Sequence, residues 1–432
     1  MKIVAFLPAK GSSSRVESKN VKLLDGKPLF LHTLEKLCSA SFIDEVYLDT
    51  ESDEVIDLAS EVPCKVLKRD PSLASNATDG HTLFMNEVNQ VEADIYIQVL
   101  CTSPFISLET IKDGVDAIQQ SSEYDSAVLL RKDKQYLWNS EGPAYNIERI
   151  PNSVDLPDAV VETMGLYIVK SDTARTYNRR VGANPYQLFA SPLEAIDVNW
   201  PDEFYLADLI AAGLREKDRK LLDNIKNQIT SSMLSDILDD LGYPNQVVKG
   251  LSQNIDGSKI FGRAKTLKLR ELEEGEDYRG IYNALHSYST IVPNDVIVVE
   301  NEVPEYAYFG ELNANLAIRS GASGVIVDGK TRDTSEVKKT GLSVFSRGSS
   351  CQDVRKRATT ASINKKVCLD GVDVSPGQLI FADSEGVIAI PKRVETDVVK
   401  EIYARTSNEK RILVDISMGV DVDSLTKDYG FF

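Results

Sequence analysis

The sequence predicts an α/β protein of two domains, and three observations lead to this prediction. Strand-like apolar runs alternate with helix-like runs through residues 1–215, which is typical of an open sheet covered by helices. A charged helical stretch at 214–222 separates two regions of unlike sequence texture. The length of 432 residues suits two or three domains of ordinary size. We therefore expect one domain over residues 1–218 and a second over residues 219–432.

The first domain is expected to begin with a short buried strand, Ile3 to Pro8, bounded by Pro and Gly. Helical periodicity appears at 28–40, at roughly 78–90, at 107–120 and at 202–214, and strands precede or follow each helix. In an open α/β sheet, ligands bind at the carboxyl ends of the strands. The loop at 10–20 and the CTSPF segment at 101–105 both follow strands, so we expect them to face one cleft.

The loop after the first strand has the composition of a phosphate-binding loop. Gly11 and the serines at 12–14 allow the backbone to approach a polyanion closely. Arg15, Lys19 and Lys27 can neutralise the charge on the phosphates and on a leaving pyrophosphate. On composition alone, a solvated basic loop explains these residues equally well.

The order of residues in this region resembles a known signature. The segment PAKGSSSRVESKNVKLLDGKPL, residues 8–29, is similar to the signature of the CMP-sugar synthetases. These are cytidylyltransferases that activate sialic acids and related 3-deoxy-2-ulosonic acids. The resemblance continues in VYLDT at 46–50, KRDPSLAS at 68–75, CTSPF at 101–105, ETMGLYIVK at 162–170 and AIDVNWPDEF at 195–204.

This resemblance implies a Rossmann-like nucleotidyltransferase sheet with helices on both faces, and it implies a set of site residues. Arg15 and Lys19 take a catalytic role beside the phosphates of the substrate CTP. The implied nucleotide-binding residues are Ala9, Lys10, Gly11, Ser12, Asn20, Lys27, Arg69, Thr102 and Ser103. The implied sugar-binding residues are Gly165 and Tyr167, and the implied Mg²⁺ ligands are Asp197 and Asn199.

Three departures from the family pattern bear on specificity. Leu100 and Cys101 stand where the family usually carries Gln-Pro, and Met164 replaces an Asn of the family. Asn199 replaces the second metal-binding carboxylate. Because an amide oxygen brings less charge to Mg²⁺, Asp197 is the stronger predicted ligand. The identity of the accepted sugar therefore stays open.

The second half has its own signature at 310–333, GELNANLAIRSGASGVIVDGKTRD. This pattern predicts a helix, a tight turn, a buried strand (Gly324 to Val327) and a polar turn that carries Arg332 and Asp333. An Arg beside a carboxylate suits a metal-bound oxo acid, because the carboxylate can hold Mg²⁺ while the guanidinium binds the substrate's oxygens. A surface salt-bridge turn is the alternative interpretation of an isolated Arg-Asp pair.

Residues at about 225–400 resemble the family that contains 4-hydroxy-4-methyl-2-oxoglutarate aldolase and the regulator of ribonuclease activity. The matching segments are SSMLSDILDDLG (231–242), FGRAKTLKL (261–269), VPNDVIVVENE (292–302), the 310–333 segment, VFSRG (344–348) and VSPGQLIFADSEGVIAIP (374–391). The resemblance implies an α/β sandwich around a β-barrel-like core, assembled as a trimer or hexamer. As in the aldolase members, Asp333 would bind Mg²⁺ and Arg332 would be a catalytic residue that contacts pyruvate. The remaining implied substrate-binding residues are Gly310, Glu311 and Leu312.

The chemistry of one substrate class can connect the two domains. In its open form a 3-deoxy-2-ulosonic acid is a 4-hydroxy-2-oxo acid, the class on which the aldolases of the second family act. We therefore predict an enzyme that transfers CMP from CTP to such a sugar and also carries out a metal-dependent pyruvate aldolase step. Ulosonates of this kind are generally made from phosphoenolpyruvate, which leaves alternatives for the second domain. It could cleave surplus ulosonate, act on an unrelated oxo acid, oligomerise or regulate the chain without catalysis, or bind a ribonuclease.

Composition and charge disfavour several other classes of protein. A net charge of −17 disfavours nucleic acid as a partner, and the chain lacks a run of about 18 apolar residues that could span a membrane. The N-terminus enters a strand directly, so we expect no signal peptide and a cytoplasmic location. Five widely spaced cysteines without a CxxC pair are expected to be reduced core residues. His32, in an apolar helix, is expected to be a core residue, whereas the role of His81 stays open.

Overall fold

The computed structural model describes residues 1–75 and 77–430, and within these the side chains of all but residues 407–411, 413 and 414. Contacts divide the chain into a first unit, Met1–Ala212, and a second unit, Gly213–Phe432. The helix Pro201–Lys226 contains this division and also the boundary expected from the sequence, after residue 218. Each unit is built around its own sheet.

Strands and helices alternate along the first unit, as the sequence predicts. Its strands are β1 (Ile3–Pro8), β2 (Leu23–Leu24), β3 (Lys27–Pro28), β4 (Glu45–Thr50), β5 (Lys65–Lys68), β6 (Ile95–Val99), β7 (Ser126–Asp133), β8 (Trp138–Asn139), β9 (Gly142–Pro143), β10 (Ala159–Lys170) and β11 (Pro185–Phe189). Its helices are α1 (Leu29–Cys38), α2 (Asp53–Leu58), α3 (Gly80–Gln90), α4 (Leu108–Gln120), α5 (Ser171–Tyr177) and the start of α6 (Pro201–Lys226), with 3₁₀ turns at Pro71–Ala74 and Ser153–Asp155.

Seven of these strands form one sheet in the order β11-β7-β10-β6-β1-β4-β5. β5, β4, β1 and β6 run parallel, and β10 runs antiparallel to both of its neighbours. β1 is buried at every residue because it is central and both of its faces are covered. The carboxyl ends of β1, β4 and β6 therefore lie at one edge of the sheet, where open α/β sheets bind their ligands.

Helices cover both faces of this sheet. Alternate residues of each strand point to opposite faces, so neighbouring strand residues pack in different clusters. On one face, Leu7 of β1 belongs to the same buried cluster as Phe30 of α1. On the other face, Phe6 belongs to a cluster with Phe84 of α3. The predicted arrangement of a Rossmann-like sheet between two layers of helices is confirmed.

The second unit is also α/β. Its strands are β12 (Val247–Val248), β13 (Ser252–Gln253), β14 (Ile260–Glu271), β15 (Asp295–Asn301), β16 (Ala307–Phe309), β17 (Gly324–Asp328), β18 (Lys330–Thr331), β19 (Ser343–Ser346), β20 (Ala358–Ile363), β21 (Val367–Leu369), β22 (Val372–Val374), β23 (Leu379–Ala382) and β24 (Val387–Ile390). Its helices, after the end of α6, are α7 (Ser231–Asp240), α8 (Glu311–Ser320), α9 (Thr334–Lys339), α10 (Glu395–Ser417) and α11 (Val422–Tyr429), with 3₁₀ segments at Tyr278–Thr290 and Lys392–Val394.

Nine strands of the second unit form one sheet in the order β12-β24-β23-β14-β15-β17-β19-β13, with β20 also paired to β14. β14, β15, β17 and β19 are parallel, while β23 and β20 pair antiparallel with the first and last parts of the long β14. One buried cluster, which includes Val298, Ile326 and Phe345, is drawn from strands alone. A core lined only by strands is what a sheet that curves around itself produces, so the expected barrel-like core is confirmed.

Helices cover the outside of this curved sheet. α8, α9 and the 3₁₀ segment Tyr278–Thr290 share one buried cluster with strand residues such as Val299 and Val327. α7 and α10 share another with Phe261 and Phe381. Among the described residues, no helix is long and apolar enough to cross a membrane.

The expectation that all five cysteines are core residues is wrong for two of them. Cys101 is buried and Cys38 and Cys64 are partly buried, but Cys351 and Cys368 are exposed. Cys368 is the middle residue of β21, whose two other side chains are buried, so the alternation of the strand turns the thiol outward. All five are free thiols.

His32 is a partly buried residue of α1 whose ring is tied to the chain before the helix. Its Nε2 lies 2.9 Å from the carbonyl oxygen of Leu24. Burial lowers the pKa of His32 to about 4, and the nearby charge of Lys27 acts in the same direction. The ring is therefore neutral in the folded protein at neutral pH, in agreement with the expected structural role.

This lowered pKa predicts a pH-dependent stability. An unfolded histidine titrates near pH 6.5, so the contribution of the neutral ring is complete above that pH and is lost as the pH falls towards 4. Between about pH 6.5 and about pH 5, the free energy of unfolding of the wild type should fall by about 1.5 kcal/mol more than that of His32→Gln. Both tryptophans, Trp138 and Trp200, lie in the first unit, so denaturant unfolding followed by tryptophan fluorescence measures this difference. Equal pH dependence of the two proteins would contradict it.

Candidate active sites

The loop after β1 is held against the end of β4. Ala9 is fully buried, and its amide donates to the carbonyl oxygen of Asp49 at 2.9 Å. The Gly11 amide donates to Glu51 Oε1 at 2.8 Å. A Cβ at residue 11 would lie 2.7 Å from the Cβ of Ser52, so only glycine allows this close approach. The carboxylate of Glu51 therefore accepts a hydrogen bond from the Gly11 amide, in the loop that the sequence predicts to bind phosphates.

Lys19 is buried beside the segment that precedes α6. It is 6% exposed, and its Nζ donates to the carbonyl oxygen of Val198 at 2.7 Å. Burial lowers the pKa of Lys19, and the neighbouring charge of Asp197 opposes this shift. An ammonium group has three N–H donors, so two remain for other acceptors.

Asn20 and Cys101 tie the loop to the turn after β6. Cys101 Sγ donates to Asn20 Oδ1 at 3.2 Å, and Asn20 Nδ2 donates to the carbonyl oxygen of Lys10 at 2.8 Å. Burial raises the pKa of Cys101 to about 11, so the thiol is neutral at physiological pH. A neutral, buried thiol is a structural contact rather than a nucleophile.

The predicted metal ligand Asp197 lies beside Ser103 and Asn199. Ser103 Oγ is 3.5 Å from Asp197 Oδ1, and Asn199 Nδ2 donates to Asp197 Oδ2 at 2.5 Å. Gly165 of β10 lies over Ser103, because a Cβ at residue 165 would be 2.5 Å from the serine Oγ. Asn199 contacts the carboxylate of Asp197 through its amide nitrogen. In this arrangement it orients Asp197 and does not place its own oxygen, the predicted Mg²⁺ ligand, beside that carboxylate. Three segments distant in sequence meet at this point.

Arg15 is an exposed cation beside the same segment. Its guanidinium carbon lies 5.5 Å from the centre of the Trp200 ring, and Trp200 follows Asn199 directly. Ser12, in the same loop, is exposed as well. The exposed Arg15 and the buried Lys19 thus bring two positive charges to the neighbourhood of Asp197.

Two other predicted nucleotide-binding cations are engaged elsewhere. Lys27 Nζ lies 2.9 Å from Glu35 Oε2. Arg69 is 4% exposed, and its guanidinium contacts Asp49 at 3.1 Å and Glu51 at 2.9 Å. These contacts indicate that Arg69 acts on the loop through carboxylates rather than by touching a phosphate. The prediction of a direct role for Lys27 and Arg69 gains no support from the geometry.

Tyr167, a predicted sugar-binding residue, is part of a polar group that the sequence did not reveal. It pairs with Gln98 across β10 and β6, and its hydroxyl donates to Glu162. Arg180 lies over its ring, 3.7 Å from the ring centre, and donates to Gln98 Oε1 at 3.1 Å. The one signal for these partners is a glutamine inside the apolar run IYIQV of β6.

In the second unit, Arg332 and Asp333 meet the start of α8, as the sequence predicts for its substrate site. Asp333 Oδ2 lies 3.4 Å from the amide nitrogen of Glu311, and a Cβ at Gly310 would lie 2.7 Å from the same oxygen. Arg332 Nη1 lies 2.8 Å from Asp353 Oδ2, while its Nε is 3.6 Å from Asp333. Asp353, a partner that sequence reasoning missed, therefore already pairs with the predicted pyruvate-binding guanidinium.

Neither site contains a complete set of protein metal ligands. Among residues 1–75 and 77–430, no group of three or more His, Cys, Asp or Glu side chains is placed to hold a metal ion. Each predicted site offers one well-placed carboxylate, Asp197 or Asp333. Mg²⁺ in phosphoryl-transfer sites is commonly bound by one or two carboxylates together with substrate phosphates and water. The donors around Asp197 therefore fit a magnesium ion that arrives with a nucleotide. Around Asp333 the side chains are open to solvent, and Leu312 is 78% exposed.

Comparison with known families finds one match within each unit. Residues 4–191 match the model of the Cytidylyltransferase family, and residues 231–389 match the model of the Aldolase/RraA family. Each family model thus matches less than half of the chain. The first match includes the loop after β1 and the turn after β6, and the second includes the Arg332–Asp333 turn.

Relatives of both kinds are known. CMP-N,N'-diacetyllegionaminic acid synthase of Legionella pneumophila is 34% identical over 122 residues, which are 27% of this chain and 53% of the synthase. A putative 4-hydroxy-4-methyl-2-oxoglutarate aldolase of Halalkalibacterium halodurans is 28% identical over 183 residues, covering 42% of this chain and 82% of that protein. Protein DlpA of Legionella pneumophila is 30% identical over 202 residues, covering 46% of this chain and 32% of DlpA. The chain thus spans about half of the synthase and a third of DlpA.

The close approach of Gly165 to Ser103 predicts the effect of adding one carbon to the cytidylyltransferase segment. In Gly165→Ala, the new Cβ would meet Ser103 Oγ at 2.5 Å and displace it from Asp197, so CTP-dependent pyrophosphate release should fall about tenfold. Gly213→Ala is the matched control, because nothing lies within 4 Å of a Cβ there and alanine favours the helix α6. Full activity of Gly165→Ala would show that the Ser103 position is not needed.

Proposed function

We propose that the first unit transfers CMP from CTP to the anomeric hydroxyl of a 3-deoxy-2-ulosonic acid and releases pyrophosphate. The observation that carries this proposal is the meeting of Lys19, Ser103, Gly165 and Asp197 at the carboxyl edge of the sheet. Lys19, Ser103 and Gly165 lie within residues 4–191, which match the Cytidylyltransferase model, and Asp197 follows shortly after them. The legionaminic acid synthase among the relatives supports a sugar of the ulosonic acid class.

Each residue has a separate task in this reaction. Arg15 and Lys19 neutralise the triphosphate, which lies over the loop whose Gly11 amide is held by Glu51. Asp197 would hold Mg²⁺, which supplies charge neutralisation for the phosphates when it is bound. Gly165 allows Ser103 to pack closely against β10 beside the place proposed for the acceptor sugar, and Tyr167 lies farther along the same strand. Catalysis then consists of positioning and charge stabilisation.

The bond changes follow from the substrates. The oxygen of the sugar's C2 hydroxyl forms a bond to the α-phosphorus of CTP, and the bond from that phosphorus to the bridging oxygen of the β-phosphate breaks. Pyrophosphate leaves with the negative charge, which Arg15 and Lys19 stabilise. The hydroxyl proton passes to solvent or to a phosphate oxygen, so the reaction needs no histidine base. The buried, neutral thiol of Cys101 takes no part in it.

Substitution of Asp197 tests this assignment. Asp197→Asn keeps the shape of the side chain but removes its charge, so pyrophosphate release in the presence of CTP, Mg²⁺ and a panel of ulosonic acids should fall at least about 100-fold. Arg15→Ala should lower the same rate through loss of phosphate binding. Asp116→Asn is the control, since Asp116 pairs with Lys112 on the surface of α4. If Asp197→Asn released pyrophosphate at the wild-type rate, Asp197 would not belong to the mechanism.

For the second unit we propose a metal-dependent pyruvate aldolase activity on the same class of 4-hydroxy-2-oxo acids. The observation that favours it is the grouping of Arg332, Asp333 and the first amides of α8. A helix N-terminus with an adjacent guanidinium attracts a carboxylate such as that of pyruvate. The putative 4-hydroxy-4-methyl-2-oxoglutarate aldolase among the relatives supports the reaction class. Asp333 would hold Mg²⁺, and the ion when bound would supply Lewis-acid polarisation of the oxo group.

A non-catalytic second unit is the alternative, and one contact favours it. Arg332 is paired with Asp353 at 2.8 Å, so pyruvate must compete with a carboxylate of the protein for this guanidinium. If that pairing persists, the second unit would serve assembly or regulation, as in family members that share a fold without its activity. Assembly into a trimer or hexamer is part of either proposal.

Arg332→Ala distinguishes the two. For an aldolase, this variant should abolish Mg²⁺-dependent exchange of the methyl protons of pyruvate with deuterated water, because enolate formation needs the bound carboxylate. CTP-dependent pyrophosphate release should stay unchanged. Arg319→Ala, an exposed change near the end of α8, serves as the control. Absence of exchange in the wild type would favour the non-catalytic alternative, and loss of both activities in Arg332→Ala would contradict separable sites.

A further inference from the structure

A line of buried polar side chains crosses the first unit beneath the carboxyl edge of its sheet. The line begins at Glu51, which contacts the nucleotide-binding loop, and ends at Arg180, which lies over Tyr167. Apart from Glu51, its members are 0–7% exposed: Asp49, Arg69, Glu87, Gln98 and Arg180. Buried polar groups of this kind are costly unless each one is paired, so every hydrogen bond in the line matters.

The first part of the line joins the loop to β4. Glu51 Oε1 accepts the hydrogen bond of the Gly11 amide at 2.8 Å. Glu51 Oε2 accepts from the Nε and Nη2 of Arg69, at 3.1 and 2.9 Å. Arg69 Nη1 donates to Asp49 Oδ2 at 3.1 Å. Arg69 therefore connects the carboxylate that holds the loop to a second carboxylate buried in the sheet.

The last part of the line joins α3 to β6 and β10. Glu87 Oε2 accepts from Gln98 Nε2 at 2.7 Å, and Gln98 Oε1 accepts from Arg180 Nη1 at 3.1 Å. The guanidinium of Arg180 lies 3.7 Å from the centre of the Tyr167 ring. Glutamine is suited to this position because it donates to the acid on one side and accepts from the cation on the other.

The two parts meet at a pair of acids that lacks a donor. Asp49 Oδ1 and Glu87 Oε1 are buried and have no hydrogen-bond donor among the described residues, and the two side chains are near enough for each to shift the pKa of the other. Two ionised carboxylates in contact would repel each other and leave both oxygens unsatisfied. One proton between them makes one oxygen a donor and the other an acceptor, which satisfies both.

The charges of the whole line lead to the same conclusion. Its ionisable members are three acids, Glu51, Asp49 and Glu87, and two arginines, Arg69 and Arg180. If the acids together keep one proton, two negative charges balance two positive charges in a region with almost no access to water.

The position of this proton follows from the surroundings of each acid. Burial raises the pKa of Glu87 well above its usual range, and the adjacent charge of Asp49 raises it further. Burial also raises the pKa of Asp49, but the guanidinium of Arg69 opposes that shift. Glu87 is therefore the side chain that carries the proton, and Asp49 is the ionised carboxylate that pairs with Arg69.

We propose that Glu87 is a protonated acid that donates to Asp49, and that Asp49 is thereby a positioning residue for the nucleotide-binding loop. Asp49 fixes Arg69, Arg69 fixes Glu51, and Glu51 holds the Gly11 amide. None of these side chains needs to touch the substrate for the line to set the position of the loop. The claim about the loop depends on the proposed binding of CTP, whereas the claim about the proton does not.

Two isosteric variants of the full chain test the proposal. Glu87→Gln imitates the protonated acid, since its amide N–H can donate to Asp49 while its oxygen still accepts from Gln98. Its unfolding midpoint, followed by tryptophan fluorescence, should stay within about 2 °C of the wild type, and its dissociation constant for CTP should stay within about twofold. Asp49→Asn removes the charge that balances Arg69. Its midpoint should fall by at least about 5 °C, and CTP binding measured by calorimetry should weaken about tenfold.

Each outcome decides one part of the proposal. If Glu87→Gln were as damaging as Asp49→Asn, Glu87 would be an anion and the shared proton would be excluded. If Asp49→Asn bound CTP normally, Asp49 would not position the loop. Should Asp49→Asn fail to fold, infrared spectroscopy of the wild type and Glu87→Gln still decides. A protonated carboxyl band present at neutral pH only in the wild type supports the proton, and identical spectra overturn it. A wild type that binds no CTP would contradict the proposed function but leave the unfolding comparison valid.

Discussion

The burial of the Arg69 guanidinium between Asp49 and Glu51 is the interaction on which the first site depends. A guanidinium that is 4% exposed must be paired, because an unpaired charge at this depth would cost several kcal/mol. Pairing requires β4 to end beside β1, and it brings Glu51 to the Gly11 amide. The conformation of the loop after β1 thus depends on the ion pairs of Arg69 with Asp49 and Glu51, as well as on the glycine and serines of the loop itself.

Much of the fold could be predicted from the sequence, because its strong signals are local. β1, β4, β6 and α3 are short apolar or periodic runs bounded by polar or turn residues, and they form where expected. The meeting of Lys19, Ser103 and Asp197 was also foreseen, since each lies in a segment that resembles a known motif. Arg180 and Glu87 were missed because their roles depend on partners many residues away, which periodicity does not reveal. The ion pair of Lys27 with Glu35 was not foreseen either, since loop composition does not show it, and the role of Lys27 in nucleotide binding stays a prediction.

One of the departures from the synthetase pattern, Met164, lies at an irregularity of β10. β10 is interrupted between Glu162 and Tyr167, and Met164 within this irregularity has a positive φ of 63° and is 48% exposed. A side chain held outward at that point lies next to Gly165, where we place the sugar. We therefore expect Met164, which stands where the family usually carries Asn, to take part in selecting the acceptor sugar.

The central claim is that the first unit makes a CMP-sugar from a 3-deoxy-2-ulosonic acid. Mass spectrometry of mixtures containing the full-length protein, CTP, Mg²⁺ and individual ulosonic acids tests it most directly. We expect one acid or a small group of related acids to yield a product heavier by one cytidylyl group, together with an equal amount of pyrophosphate. If no acid yielded a CMP-bearing product although the protein bound CTP, the assignment of the first unit to this reaction would be wrong.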